Sequence, residues 1–185
     1  TISDGTVNIG GNSTVTTLSG GNVTVANAKG LTITSGTTSG IISGAGFLVM
    51  NGTTSPALYL LGLNSYKGGT TVNAGGKVVV GSETALGSGA VTVMSGAVLD
   101  LNGQTMTSTG LLTISGTGVS SSGALTNSSS SAATYAGLVK LDAAATINAY
   151  AGSITLSNNG SIVAKTNTGT NAAITINGDN DVTIN

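Results

Sequence analysis

Three oxygen-bearing side chains stand in a row at Asp179-Asn180-Asp181, directly after Gly178. Such a run is the raw material of a calcium site, which gathers about six to eight oxygens around one cation. The glycine-rich nonapeptide that builds stacked calcium sites is absent, and the same triplet also reads as a polar turn ahead of Val182-Thr183-Ile184. Lys140 and Asp142 lie two positions apart and so share one face of a strand. Asp100, inside Leu99-Asp100-Leu101, is expected to point outward. Glycoside hydrolysis needs two carboxyl groups converging to about 5–9.5 Å, and nothing in the spacing brings Asp100 and Asp142 together. Tyr59, Tyr66, Tyr135 and Tyr150 carry ring faces on which a sugar could stack. Five N-x-S/T sequons occur, at Asn12, Asn22, Asn51, Asn127 and Asn159. In a chain so rich in Asn, Ser and Thr several arise by chance, and they matter only in a cell that glycosylates its surface proteins.

The remaining chemistry is removed by what the chain lacks. There is no Arg, His, Cys or Trp among its 185 residues. A zinc site wants Cys or His, and a Ser-His-Asp or Cys-His pair has no base here. Five lysines scattered at a net charge of −1 make no basic patch for nucleic acid. No motif calls for a cofactor. No apolar run approaches the roughly 20 residues of a membrane helix; the longest, Ala57-Leu58-Tyr59-Leu60-Leu61, is strand-sized, so no membrane insertion is expected. No signal peptide is visible at Thr1, which reads as a mature product or an excised piece.

Gly (30), Thr (30), Ser (23) and Asn (17) make up 100 of the residues, and the apolar remainder is mostly Val, Ile, Leu and Ala. A mean hydropathy of +0.35 with almost no net charge is the opposite of a disordered composition. The elements follow from period-two strings: Thr6-Val7-Asn8-Ile9, Asn22-Val23-Thr24-Val25, Leu31-Thr32-Ile33-Thr34, Ala90-Val91-Thr92-Val93, Leu111-Leu112-Thr113-Ile114, Ser153-Ile154-Thr155-Leu156 and Ala173-Ile174-Thr175-Ile176. Alternation of this kind marks strands with one buried face. Gly, Asn or Ser closes almost every string, supplying turn residues that tolerate positive φ.

Gly69-Thr70-Thr71-Val72-Asn73-Ala74-Gly75 aligns with Ala90-Val91-Thr92-Val93-Met94-Ser95-Gly96 at an offset of 21 residues. That is the length of one solenoid coil. The expected fold is therefore all-β, a parallel β-helix of about 20-residue coils, with a sandwich or jelly-roll fibre subunit as the alternative. Val and Ile would ladder inside, and Thr, Ser and Asn outside. Residues 120–137 break the rhythm and read as a Ser-rich loop, an insertion or a joint between a 1–119 solenoid and a 138–185 strand region.

One stretch carries a family likeness. Leu63-Asn64-Ser65-Tyr66-Lys67-Gly68-Gly69-Thr70-Thr71-Val72-Asn73-Ala74-Gly75, then Val78-Val79-Val80-Gly81, Ala85-Leu86-Gly87-Ser88-Gly89-Ala90-Val91-Thr92-Val93 and Val98-Leu99-Asp100-Leu101-Asn102-Gly103, resembles the autotransporter-associated β-strand repeat over residues 63–103. The repeat positions are carried by Tyr66, Gly68, Gly69, Gly75, Gly87, Gly89, Asp100, Asn102 and Gly103. The C-terminal third, with Gly152-Ser153-Ile154-Thr155-Leu156, is similar in style to the repeats of filamentous-haemagglutinin-type secreted proteins. The resemblance implies a right-handed parallel β-helix on a bacterial surface, exported through the outer membrane and serving as stalk or passenger module with adhesive or matrix roles. It implies no catalytic residues.

The expected function is thus extracellular and structural: a stalk, adhesin or fibre-forming subunit without catalysis. Thr6-Val7-Asn8-Ile9 and Val182-Thr183-Ile184-Asn185 are both strand-like, so end-to-end self-association, or continuation of a longer β-helix, is the expected partnership. The alternative is a carbohydrate-binding or carbohydrate-cleaving module that meets surface glycans. Pectin-cleaving β-helices rely on clustered Asp with Arg, Lys or His, and two of those three cations are missing here.

Overall fold

The computed structural model describes residues 5–52, 57–107, 110–158 and 172–185. Short strands follow one another along the chain: β1 (Thr6–Ile9), β2 (Ser13–Leu18), β3 (Asn22–Val25), β4 (Gly30–Thr38), β5 (Ile42–Gly44), β6 (Phe47–Met50), β7 (Leu58–Leu60), β8 (Thr70–Val72), β9 (Lys77–Val80) and β10 (Val91–Val93). They continue with β11 (Val98–Asp100), β12 (Thr105–Met106), β13 (Leu112–Gly116), β14 (Leu125–Thr126), β15 (Ala133–Tyr135), β16 (Val139–Asn148), β17 (Ile154–Leu156), β18 (Ile174–Asn177) and β19 (Val182–Ile184). A 3₁₀ turn, Val119–Ser121, precedes β14.

Every pairing among these strands is parallel. That excludes the sandwich and jelly-roll alternative, whose strands pair antiparallel. The chain instead coils, each strand bonding to its counterpart one coil away. β4 and β16 are long enough to run along two sides, so two ladders merge at them: β6, β8, β10 and β13 on one side, β7, β9, β11 and β14 on the next. The third side is built from β1-β3-β5 and β12-β15-β17-β19. Between those two groups the coils are joined by backbone bonds outside any strand, among them Ser65 N–H to Ile42 O (2.9 Å), Ser88 N–H to Tyr66 O (3.0 Å) and Thr107 N–H to Glu83 O (3.1 Å).

The 21-residue register holds as expected, with Thr70, Thr71 and Val72 opposite Val91, Thr92 and Val93. Stacking then puts like on like. One inward column runs Ile33, Met50, Val72, Val93, Ile114, Leu141, and another runs Leu58, Val78, Leu99, Leu125, Ile147; all of these are buried. The outward column Thr32, Val49, Thr71, Thr92, Thr113 is nearly uncharged. Repeating a charge there every ~4.8 Å would set like charges against each other on one face.

Residues 120–137 are not a joint between two domains. They include β14 and β15, and Leu125, Ala133 and Tyr135 are fully buried in the same core as their neighbours. The segment is an insertion within a continuous helix: Leu99 pairs with Leu125, 26 residues on, and Leu112 with Val139, 27 residues on. The extra residues leave the coil around the Val119–Ser121 turn and return.

At the corners the backbones of successive coils approach too closely for side chains. A Cβ on Gly40 would lie 1.7 Å from Gly21 O, and one on Gly62 would lie 2.2 Å from Gly40 O. Glycine at these corners lets three coils stack in contact.

Candidate functional site

Where strands give way to corners, asparagine side chains replace the backbone ladder. Asn64 accepts from Ile42 N–H of the preceding coil (2.8 Å) and donates to Ala85 O of the next (2.7 Å). Asn127 does the same more completely. Its Oδ1 accepts from Gly103 N–H (2.9 Å) and Ser129 N–H (3.2 Å), and its Nδ2 donates to Ser131 O (2.8 Å) and Ser153 O (3.0 Å). Asn148 donates to Ser122 O (3.1 Å), tying the insertion to the next coil. A primary amide has both donors and acceptors, so one side chain can clamp the coils above and below it.

These placements sort the candidates from the sequence. Asn127 has no exposed surface, so a glycan cannot sit on it without undoing four hydrogen bonds; that sequon is structural. Asn12, Asn22 and Asn51 are exposed, and their amides bond Gly30 N–H (2.9 Å), Ile41 N–H (2.9 Å) and Asn73 Nδ2 (3.3 Å). Asn159 lies outside the described residues.

Tyr66 and Tyr135 are wholly interior and cannot stack on a sugar. The Tyr66 hydroxyl pairs with Thr70 Oγ1, and the Tyr135 hydroxyl donates to Gly110 O (2.8 Å). Burial pushes the Tyr66 phenol far above its ordinary value, its bond to Thr70 opposing this in part. Burial alone raises Tyr135. Tyr59 and Tyr150 remain on the surface, at 43% and 67% exposure.

The repeat glycines are corner residues. Gly68 and Gly89 abut the backbones of Gly46 and Gly69, and Gly87 packs under Tyr66. Gly69, Gly75 and Gly103 take positive φ, as does Asn102. In the turn at 179–181, Asn180 Nδ2 donates to Ala149 O and Tyr150 O (3.3 Å each), which supports the polar-turn reading of Asp179, Asn180 and Asp181. Among the described residues no three of His, Cys, Asp and Glu gather where they could hold a metal. Lys140 and Asp142 do share a face, at 3.9 Å.

Asp100 departs from expectation. Alternation aims it outward, yet it is completely buried, because the insertion and the following corner cover that part of the surface. Its Oδ1 accepts from Asn102 N–H (3.0 Å) and Ser128 N–H (3.1 Å), and Lys77 Nζ stands 2.9 Å from Oδ2. The Lys77 side chain, 39% exposed, carries this pair to the floor of a cup of about 260 Å³. Ser122, Thr126, Ser128, Asn148 and Tyr150 complete its lining. The insertion that walls the cup was one of the sequence readings of residues 120–137, whereas the cup itself was not legible in the sequence. A second, wider hollow of about 410 Å³ runs along Asn64, Ser65, Lys67, Thr84, Gly87, Ser88 and Thr107 and has no aromatic wall.

Compared with protein-family models, with characterised proteins and with solved structures, the chain matches none. Among the described residues no helix is long and apolar enough to cross a membrane.

Proposed function

We propose that the chain is a non-catalytic structural segment, a β-helical stalk or fibre-forming subunit with adhesive faces on the outside of a bacterial cell. The carrying observation is continuity: hydrogen-bonded parallel ladders run coil on coil from β1 to β19 over one unbroken apolar core. A rod of this kind resists bending because its backbone bonds lie along its axis, and its neutral Thr, Ser and Asn faces present hydrogen-bonding groups without charge. The likeness of residues 63–103 to the autotransporter-associated repeat points the same way. In the last coil Ile176 and Ile184, which continue the inward columns of Ile147 and Leu156, are 46% and 48% exposed.

Electron microscopy of the natively purified protein, with its size checked in SDS without boiling, tests this. Uniform SDS-resistant fibres identify a polymer subunit, and isolated rods identify a stalk segment. Globular particles with no elongated form refute both. A carbohydrate-binding module is the second reading, favoured by the cup beside Tyr150. A soluble-glycan screen in which the folded protein retains no sugar refutes it.

A further inference from the structure

We infer that the cup between Lys77 and Tyr150 is a subsite for one neutral pyranose ring, a reading that rests on the carbohydrate-binding alternative and gives it a place and a ligand class. Four features converge there. Tyr150 stands at the rim with two thirds of its surface in solvent, so its ring face is free to stack on a sugar. Such a face attracts the polarised C–H groups of a pyranose as it attracts other electropositive partners. Lys77, in the same lining, is ion-paired with Asp100, its Nζ 2.9 Å from Oδ2, and its ammonium carries three N–H donors that a ligand can use. The ammonium is held in place because its carboxylate is itself pinned by amides from two coils, Asn102 N–H and Ser128 N–H. The side chains of Ser122 and Ser128 add hydroxyls to the lining.

The wall was made at a cost. The insertion that brings Ser122 to the cup puts two non-glycine residues, Ser120 and Ser121, at φ +50° and +63°. Non-glycine backbone held in the left-handed region is strained and tends to persist at ligand sites. The turn also has no buried residue of its own, so it does not serve the core. Asn148 Nδ2 ties it to the solenoid through Ser122 O (3.1 Å), at the cup's edge.

Charge selects the ligand class. Lys77 is neutralised by Asp100, so the site offers hydrogen-bond donors without net charge. A hydroxyl-rich neutral ring fits such a site better than a uronate or a phosphosugar. The volume of about 260 Å³ holds one ring with its exocyclic group rather than an oligosaccharide, so the subsite would grip a chain terminus or a single branch.

The test is ¹H–¹⁵N correlation NMR of the whole chain, titrated with the methyl pyranosides of glucose, galactose, mannose and N-acetylglucosamine, and with glucuronate, each to about 50 mM. A subsite with a millimolar Kd responds well below that ceiling. At least one neutral pyranoside is expected to shift the amides of Ser122, Ser128 and Tyr150 together. Tyr150→Ala, at an exposed position that leaves the core intact, is expected to weaken that response about tenfold, whereas Tyr150→Trp retains it. Shifts from glucuronate alone, shifts indifferent to Tyr150→Ala, or no shift at the cup from any sugar each overturn the inference. Shifts elsewhere on the rod would overturn it while leaving the carbohydrate-binding reading standing.

Discussion

Replacing Asn127 by alanine should open the helix at one seam. The side chain makes four hydrogen bonds to three stretches of chain: Gly103, the Ser129–Ser131 corner and Ser153. At about 1 kcal/mol net for each, the loss is about 4 kcal/mol. Leaving buried backbone groups unpaired pushes that figure up, and a water entering the vacated space pulls it down. A solenoid opens coil by coil, so a global unfolding curve dilutes the effect. The informative readout is hydrogen exchange at amides that cross the same seams without touching Asn127: Leu101 N–H to Thr126 O (2.8 Å) and Ala133 N–H to Ser153 O (2.9 Å). Exchange there should accelerate by about a thousandfold, the equivalent of 4 kcal/mol. Asn12→Ala is the control, since it removes one bond, to Gly30 N–H, at an exposed corner where water can substitute. It should cost below about 1 kcal/mol. If the two variants behave alike, or Asn127→Ala accelerates exchange less than tenfold, corner amides do not clamp the coils and the account of the seams is wrong.

Gly40→Ala should cost several kcal/mol or prevent folding, since its methyl would fall 1.7 Å from Gly21 O, whereas Gly10→Ala, with nothing within 4 Å, should leave the thermal midpoint within about 2 °C. Lys77→Met strands the buried Asp100 carboxylate and should lower stability by about 2 kcal/mol in urea titration, less than for a fully buried pair because Lys77 is partly solvated; Asp100→Asn in the same background should recover part of it. Stability should also fall in alkali. The phenols of Tyr66 and Tyr135 are raised by burial in the folded chain, while in the unfolded chain they ionise near pH 10. Their contribution is intact below about pH 10 and is lost above it, at about 1.4 kcal/mol per pH unit for each tyrosine. Urea midpoints measured from about pH 9 to 11 check this, and Tyr66→Phe should halve the slope.

The strands were largely legible because their signal is local. Val23, Val25, Ile33 and Val93 sit at every second position with Thr or Ser between, and each proved inward-facing. The 21-residue register was legible because Gly69-Thr70-Thr71-Val72 and Ala90-Val91-Thr92-Val93 keep the same order of corner, polar and apolar residues. β14 and β15 were hidden for the converse reason. At two and three residues they are too short to show a period, and the serines around them look like loop. Asp100 was misjudged because alternation gives direction, not cover, and the covering segment begins about 20 residues later in the chain. The corner amides had no local signal at all. Asn64, Asn127 and Asn148 find their cross-coil partners 21 to 26 residues away, so nothing beside them in the chain betrays the bond.

The register shared by β8 and β10 makes the length of this molecule a countable quantity. Excising Thr70–Ala90 would join Gly69 to Val91, and Val91 would inherit the place of Thr70 opposite Leu48. On the adjoining side Leu99 would inherit the place of Val78 opposite Leu58. The product would be the same rod, shorter by one step of ~4.8 Å. Unequal recombination between the two 63-base tracts that encode such neighbouring coils (21 codons each) would therefore lengthen or shorten the rod in whole steps without passing through an unfoldable intermediate. Reach becomes a trait that a lineage can adjust by copying, where a globular protein would have to be redesigned.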